Sequence, residues 1–223
     1  MKFFRAGLLS ALIVFPTALL ATTLGPYIGV GVGLATGPNQ TLIDPNDLTG
    51  SGGSITGFNK DTYGLITRSL LAGNLFAGYN ITHYFGVEGS YTVISKQKVT
   101  DFAGAVTTSN GGFDGGLISS IFALSGVGYF PLEKMDFFAK LGLAFLNSNF
   151  SLHDPNGAIF VNAGNYHTSH GVFGVVYGAG LLYHFLPQWA GRVEFDRVSA
   201  FSDNKIGNLS YNQAAIGINY ALG

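Results

Sequence analysis

The chain has 223 residues, 47% hydrophobic and only 10% charged, with a formal net charge of −1 and no cysteine. Soluble domains carry roughly 25% charged residues, so this surface is unusually apolar, and the small net charge excludes a nucleic-acid footprint. The lack of cysteine excludes a disulfide scaffold, a Cys-ligated zinc site, a thiol nucleophile and a lipid-modified N-terminal cysteine.

The first element is "MKFFRAGLLSALIVFPTALLA", in which Lys2 and Arg5 precede an apolar run that ends at the small Ala21. That is the pattern of a secretory signal peptide, with cleavage expected after Ala21. An N-terminal anchor is the competing reading, but the run is short and Pro16 interrupts it. Residues 1–21 are therefore set apart, and 22–223 are expected to form one domain. Mean hydropathy is +0.33, yet beyond residue 24 no run approaches the roughly 20 apolar residues of a membrane helix.

The rest of the chain alternates with period two, the strand signature. "YIGVGVGLA" sets Ile28, Val30, Val32 and Leu34 against Gly29, Gly31 and Gly33. "FFAKLGLAFL" sets Phe137, Ala139, Leu141, Leu143 and Phe145 against Phe138, Lys140, Gly142 and Ala144. "QAAIGINYAL" sets Ile216, Ile218, Tyr220 and Leu222 against Gly217 and Asn219. Eight strands are predicted, near 26–36, 69–80, 85–95, 118–130, 136–147, 172–186, 188–199 and 210–222. In the fourth both faces are apolar and the parity is open.

The connections near 81–84, 131–135 and 186–188 are short. Those at 37–68, 96–117 and 148–171 are long and polar, and 200–209 is intermediate. Long and short alternate, as in outer-membrane barrels. Backbone polar groups find no partner in lipid, so strands can span a membrane only as a closed barrel. Tyr79, Phe85, Phe130, Phe137, Phe185 and Trp189 gather at the short-turn ends, where interfacial aromatics belong. A soluble lipocalin-like barrel would have the opposite polarity, apolar inside and polar outside.

With "NLFAGYNITHYFGVEGSYT", "PLEKMDFFAKLGLAFL", "VVYGAGLLYHF", "RVEFDRV" and the terminal "GINYAL", the chain resembles the OmpA-type, opacity-protein-like family of eight-stranded outer-membrane β-barrels, over roughly residues 24–223. The resemblance implies an all-β, antiparallel, up-and-down transmembrane barrel. It also implies that Gly217, Tyr220 and Leu222 form the insertion signal read by the barrel-assembly machinery. No peptidoglycan-binding domain, of the kind often fused to such barrels, is expected after the last strand.

"QWAGRVEFDRVSAF" holds Trp189, Val193, Phe195 and Val198, which suit a membrane strand, beside Arg192, Glu194, Asp196 and Arg197, which do not suit lipid. If Trp189, Val193 and Phe195 face lipid, Arg192, Glu194 and Asp196 face the lumen. The same parity turns Glu88 and Lys140 inward in the third and fifth strands. These five residues are expected to form one lumenal charge cluster. It would be either a plug of mutually satisfied side chains or the electrostatic gate of a narrow channel, which the family resemblance implies. Eight strands leave an interior just wide enough for side chains to fill, which favours the plug.

"GVGVG" lacks the spacing of a phosphate loop, and no helix follows it. Small lumenal residues opposite bulky ones explain it better. In "YHTSH", His167 stands two residues from Ser169, a spacing similar to that of the outer-membrane lipid A deacylases, also eight-stranded barrels. His170, however, follows the serine where asparagine is expected, and no carboxylate lies at that depth in the next strand. His153, Asp154 and His167 match no recognised metal-site spacing. The expected protein is a non-enzymatic barrel of the cell outer membrane, with no cofactor or metal and a structural or surface-interaction role. Its expected partners are outer-membrane lipid and lipopolysaccharide, the assembly machinery and a surface or host ligand at the loops. A lipid A-modifying hydrolase using Ser169 and His167, and a narrow ion or small-solute channel, are the alternatives.

Overall fold

The computed structural model describes residues 23–37, 63–64, 70–99, 101–102, 114–154, 164–201 and 210–222. The leader-like segment 1–21 and most of the connection 37–68 lie outside them. Eight long strands are present: β1 (Gly25–Thr36), β2 (Leu70–Asn80), β3 (Phe85–Val99), β4 (Asp114–Leu132), β5 (Met135–Asp154), β6 (Gly164–Leu186), β7 (Trp189–Ala200) and β8 (Ser210–Ala221). Each pairs antiparallel with its chain neighbours, and β1 pairs with β8 to close the barrel. Tyr63–Gly64 and Asp101–Phe102 form a separate two-stranded pair.

The register sets the pitch of the wall. From Met135 the partners run through Tyr183, Gly191, Ile218, Val30, Leu75, Tyr91 and Phe122 to Phe145, ten residues further along β5. A stagger of that size goes with a strand tilt of roughly 40°.

Alternation sorts the side chains by face. Leu124, Leu141, Leu143, Phe173 and Ile216 point outward and are more than 60% exposed. Asn74, Thr92, Ser119, Ser125 and Gln213 point inward and are buried. A lipocalin-like barrel would show the reverse. In β4, Leu117, Ser119, Ile121, Ala123, Ser125, Val127 and Tyr129 are buried, while Ile118, Phe122, Leu124 and Phe130 are exposed, which sets its parity. The inward glycines make room for aromatic rings. A Cβ on Gly29 would strike the Phe76 ring, one on Gly78 the Tyr27 ring, and one on Gly180 the Phe138 ring.

Two expectations are corrected. The polar connections 96–117 and 148–171 are strand over much of their length, because β3, β4, β5 and β6 run past the rim. Where both faces of a hairpin meet water, the apolar alternation that reveals a strand is lost. The second correction is in β7. Val198 points inward and is 5% exposed, whereas Arg197 is exposed on the outer face.

Candidate functional site: the lumenal charge cluster

β3, β5 and β7 all rise from the short-turn end, and Glu88, Lys140 and Arg192 stand near their starts. Arg192 is the hub. Its Nη1 donates to Glu88 Oε2 at 2.6 Å and its Nη2 to Glu88 Oε1 at 2.9 Å, a two-pronged pair across the lumen. Its Nε and Nη2 also donate to Glu194 Oε2, at 2.9 and 2.7 Å. The guanidinium lies between the rings of Phe76 and Phe138, 4.2 and 4.5 Å from their centroids, where ring quadrupoles favour a cation.

Lys140 Nζ is 2.7 Å from Asp196 Oδ2, 3.2 Å from Glu194 Oε2 and 3.8 Å from Glu88 Oε1. Neutral groups complete the shell. Tyr27 donates to Glu88 Oε2 at 2.9 Å, and Asn74 Nδ2 donates to Glu194 Oε1 at 3.0 Å. The hydroxyls of Tyr27 and Tyr129 are 3.3 Å apart. Glu88, Lys140, Arg192, Glu194 and Asp196 are all 2–5% exposed. Buried charge at this depth is tolerated only when paired, and removing one partner strands the other.

Layers of different chemistry bound the cluster. Toward the short turns, Val127, Tyr129, Phe138, Leu182 and Ala190 form an apolar floor. The buried Asp136 carboxylate meets His184 Nε2 there at 2.8 Å. Toward the long connections, Ser119 Oγ lies 2.9 Å from the Tyr211 hydroxyl and 3.0 Å from Ser148 Oγ, so β8 is tied to β4 and β5 across the lumen. Sequence reasoning missed Tyr27, Asn74, Phe76, Tyr129, Phe138 and Tyr211. The available signal was parity, since each is inward on its strand.

The other candidates fall elsewhere. Tyr79, Phe85, Phe130, Phe137, Phe185 and Trp189 are outward and at least 40% exposed, and Trp189 packs on Tyr220 with centroids 4.6 Å apart. Gly217, Tyr220 and Leu222 lie on or just past β8, and Leu222 N donates to Pro26 O at 2.9 Å. Ser169 is exposed and donates to Asn147 Oδ1 at 3.3 Å. The side chains of His153, Asp154, His167 and His170 lie outside the described residues. Among the described residues no group of three or more His, Asp or Glu side chains is placed to hold a metal.

Residues 6–221 match the profile of the outer membrane protein beta-barrel domain. No curated protein sequence matches the chain. Among solved structures, Neisserial surface protein A (NspA) aligns with a TM-score of 0.55 and 13% identity, over 89% of this chain and 97% of that one. Ail, the attachment invasion locus protein of Yersinia pestis, in complex with sucrose octasulfate, gives 0.52 and 16%, over 89% and 99%. A major outer membrane protein from Thermus thermophilus gives 0.51 and 13%, over 87% and 98%. At these identities the likeness is one of fold.

Proposed function

The chain belongs to the outer membrane protein beta-barrel domain family, and from that premise we propose that its lumen is a closed structural core and that its work is done outside the lipid. In such barrels the short turns face the periplasm and the long connections the exterior. On this reading the exposed apolar band meets membrane lipid, with Tyr79, Phe85, Phe130, Phe137, Phe185 and Trp189 at its periplasmic border. The assembly machinery engages the β8 end through Gly217, Tyr220 and Leu222. Residues 37–68, with the projecting ends of β3–β6, present a surface for a structural or ligand-binding role. Residues 1–21 direct export and are removed.

The observation that carries the closed core is the position of Arg192. It is held by two carboxylates and two aromatic rings between an apolar floor and the Tyr211–Ser119–Ser148 bridge. A conduit needs weakly held, hydrated groups along its length; here Arg192 and Lys140 are held directly by Glu88, Glu194 and Asp196.

Planar bilayers test the reading. The refolded wild type is expected to give no sustained single-channel conductance. Sustained conductance whose ion selectivity changes in Lys140→Gln would overturn the closed core in favour of a gate. Release of acyl chains from lipid A that is lost in Ser169→Ala would overturn the non-enzymatic reading.

A further inference from the structure

β7 breaks its own outer pattern. Its outward residues run Trp189, Gly191, Val193, Phe195 and then Arg197. Where side chains are described, the charged ones on the outer faces of the strands are Lys96, at the β3 irregularity, and Arg197. Arg197 stands eight residues above Trp189. At about 3.3 Å per residue and a tilt of roughly 40° it lies about 20 Å above that border, close to the far edge of an apolar band about 25 Å tall.

Its neighbours are polar as well. Thr36, Asn212, Arg197 and Tyr177 are successive register partners across β1, β8, β7 and β6, and none of the four is buried. The row holds a hydroxyl, an amide, a guanidinium and a phenol, and no carboxylate. The row beneath it is Leu34, Ala214, Phe195 and Ala179, entirely apolar. The polar row interrupts the apolar outer face, which resumes beyond it at Phe173 and Phe201, and its positive charge has no counter-charge among its own members.

We propose that this row binds a phosphate group of a lipid headgroup in the outer leaflet. The Arg197 guanidinium forks onto the phosphate oxygens, the geometry in which arginine and phosphate match best. Asn212 and Tyr177, on either side, supply neutral donors. The proposal rests on the outer-membrane reading, because only a bilayer brings a phosphate to that height beside an apolar band.

The test uses the full barrel refolded in phosphatidylcholine vesicles containing lipid A or dephosphorylated lipid A. The number of lipid A molecules retained on the extracted barrel is read by native mass spectrometry. Wild type is expected to retain lipid A in a phosphate-dependent way. Retention is expected to fall tenfold or more in Arg197→Ala, fall less in Asn212→Ala, and recover in part in Arg197→Lys. Equal retention by Arg197→Ala, or by wild type on dephosphorylated lipid, overturns the site. Displacement of the lipid by millimolar inorganic phosphate would assign the row to a soluble anion instead, which also overturns it. A chain that gains no heat-modifiable folded band in any vesicle would count against the outer-membrane reading itself, an outcome distinct from loss of the site.

Discussion

The carboxylate of Asp196 occupies the space that a side chain at Gly178 would fill. The two residues are register partners on β7 and β6, and a Cβ at 178 would meet Asp196 Oδ1 and the Phe195 carbonyl. The missing side chain lets Asp196 lean toward Lys140 and close its 2.7 Å ion pair. Gly178→Ala is expected to destabilise the barrel by about 1–3 kcal/mol, as overpacking does. Gly73→Ala, whose Cβ would meet nothing within 4 Å, should be close to neutral. Urea titration in vesicles, followed by heat-modifiable gel mobility, compares them; equal midpoints would refute the fit.

Arg192→Ala removes the hub and leaves Glu88 and Glu194 to share Lys140 as a cation, with Tyr27 and Asn74 as neutral donors. One-sided loss of a buried pair costs roughly 3–5 kcal/mol. Adding Glu88→Gln should restore part of that, because it removes one stranded charge. The same titration reads the recovery. No recovery in the double variant would show that Glu88 and Arg192 are not energetically coupled.

Val193→Arg acts on the opposite face of the same strand. Val193 is 55% exposed and lies between Trp189 and Arg197. A cation there costs about 2–4 kcal/mol near the midplane, and Glu88→Gln should recover none of it. A harmless Val193→Arg would mean that this face does not meet hydrocarbon.

The turn between β4 and β5 carries a backbone strain that substitution can relieve. Leu132 pairs with Met135, and Glu133 between them has φ +40°. Left-handed backbone disfavours side chains with a Cβ by about 1–2 kcal/mol, with asparagine and glycine best tolerated. Glu133→Asn is therefore expected to stabilise the barrel by up to about 1 kcal/mol. A lower urea midpoint would contradict this.

Because the chain has no cysteine, single introduced thiols report sidedness. On intact cells a membrane-impermeant maleimide is expected to label Ser51→Cys and to spare Lys134→Cys until the outer membrane is broken. The reverse pattern would invert the barrel.

The eight strands were legible because one face had to be apolar along each membrane-crossing stretch, and period two survives wherever that constraint acts. Beyond the rim it stops acting, and residues 148–154 and 164–171 looked like loops. The parity of β4 was hidden because Ile121, Val127 and Tyr129 pack an apolar part of the lumen and resemble Phe122, Leu124 and Phe130 on the other face. The charges of the cluster could be located by parity alone. Their neutral company could not: Tyr27 and Tyr129 are 102 positions apart, and only the register brings their hydroxyls together. Val198 misled because a lone valine beside Arg197 fits either face until its partner Val176, also buried, is known.

The β1–β8 seam has a consequence for the order of folding. Seven of the eight strand contacts join neighbours in sequence, but Tyr27 pairs with Ala221, almost at the other end of the chain. Such a contact bears the largest loop-closure entropy and forms slowly. Until β8 is in place, the sheet has two unpaired edges, each able to recruit another strand. No shorter version of this sheet is self-contained, so the nascent barrel must be shielded until its last strand reaches the first.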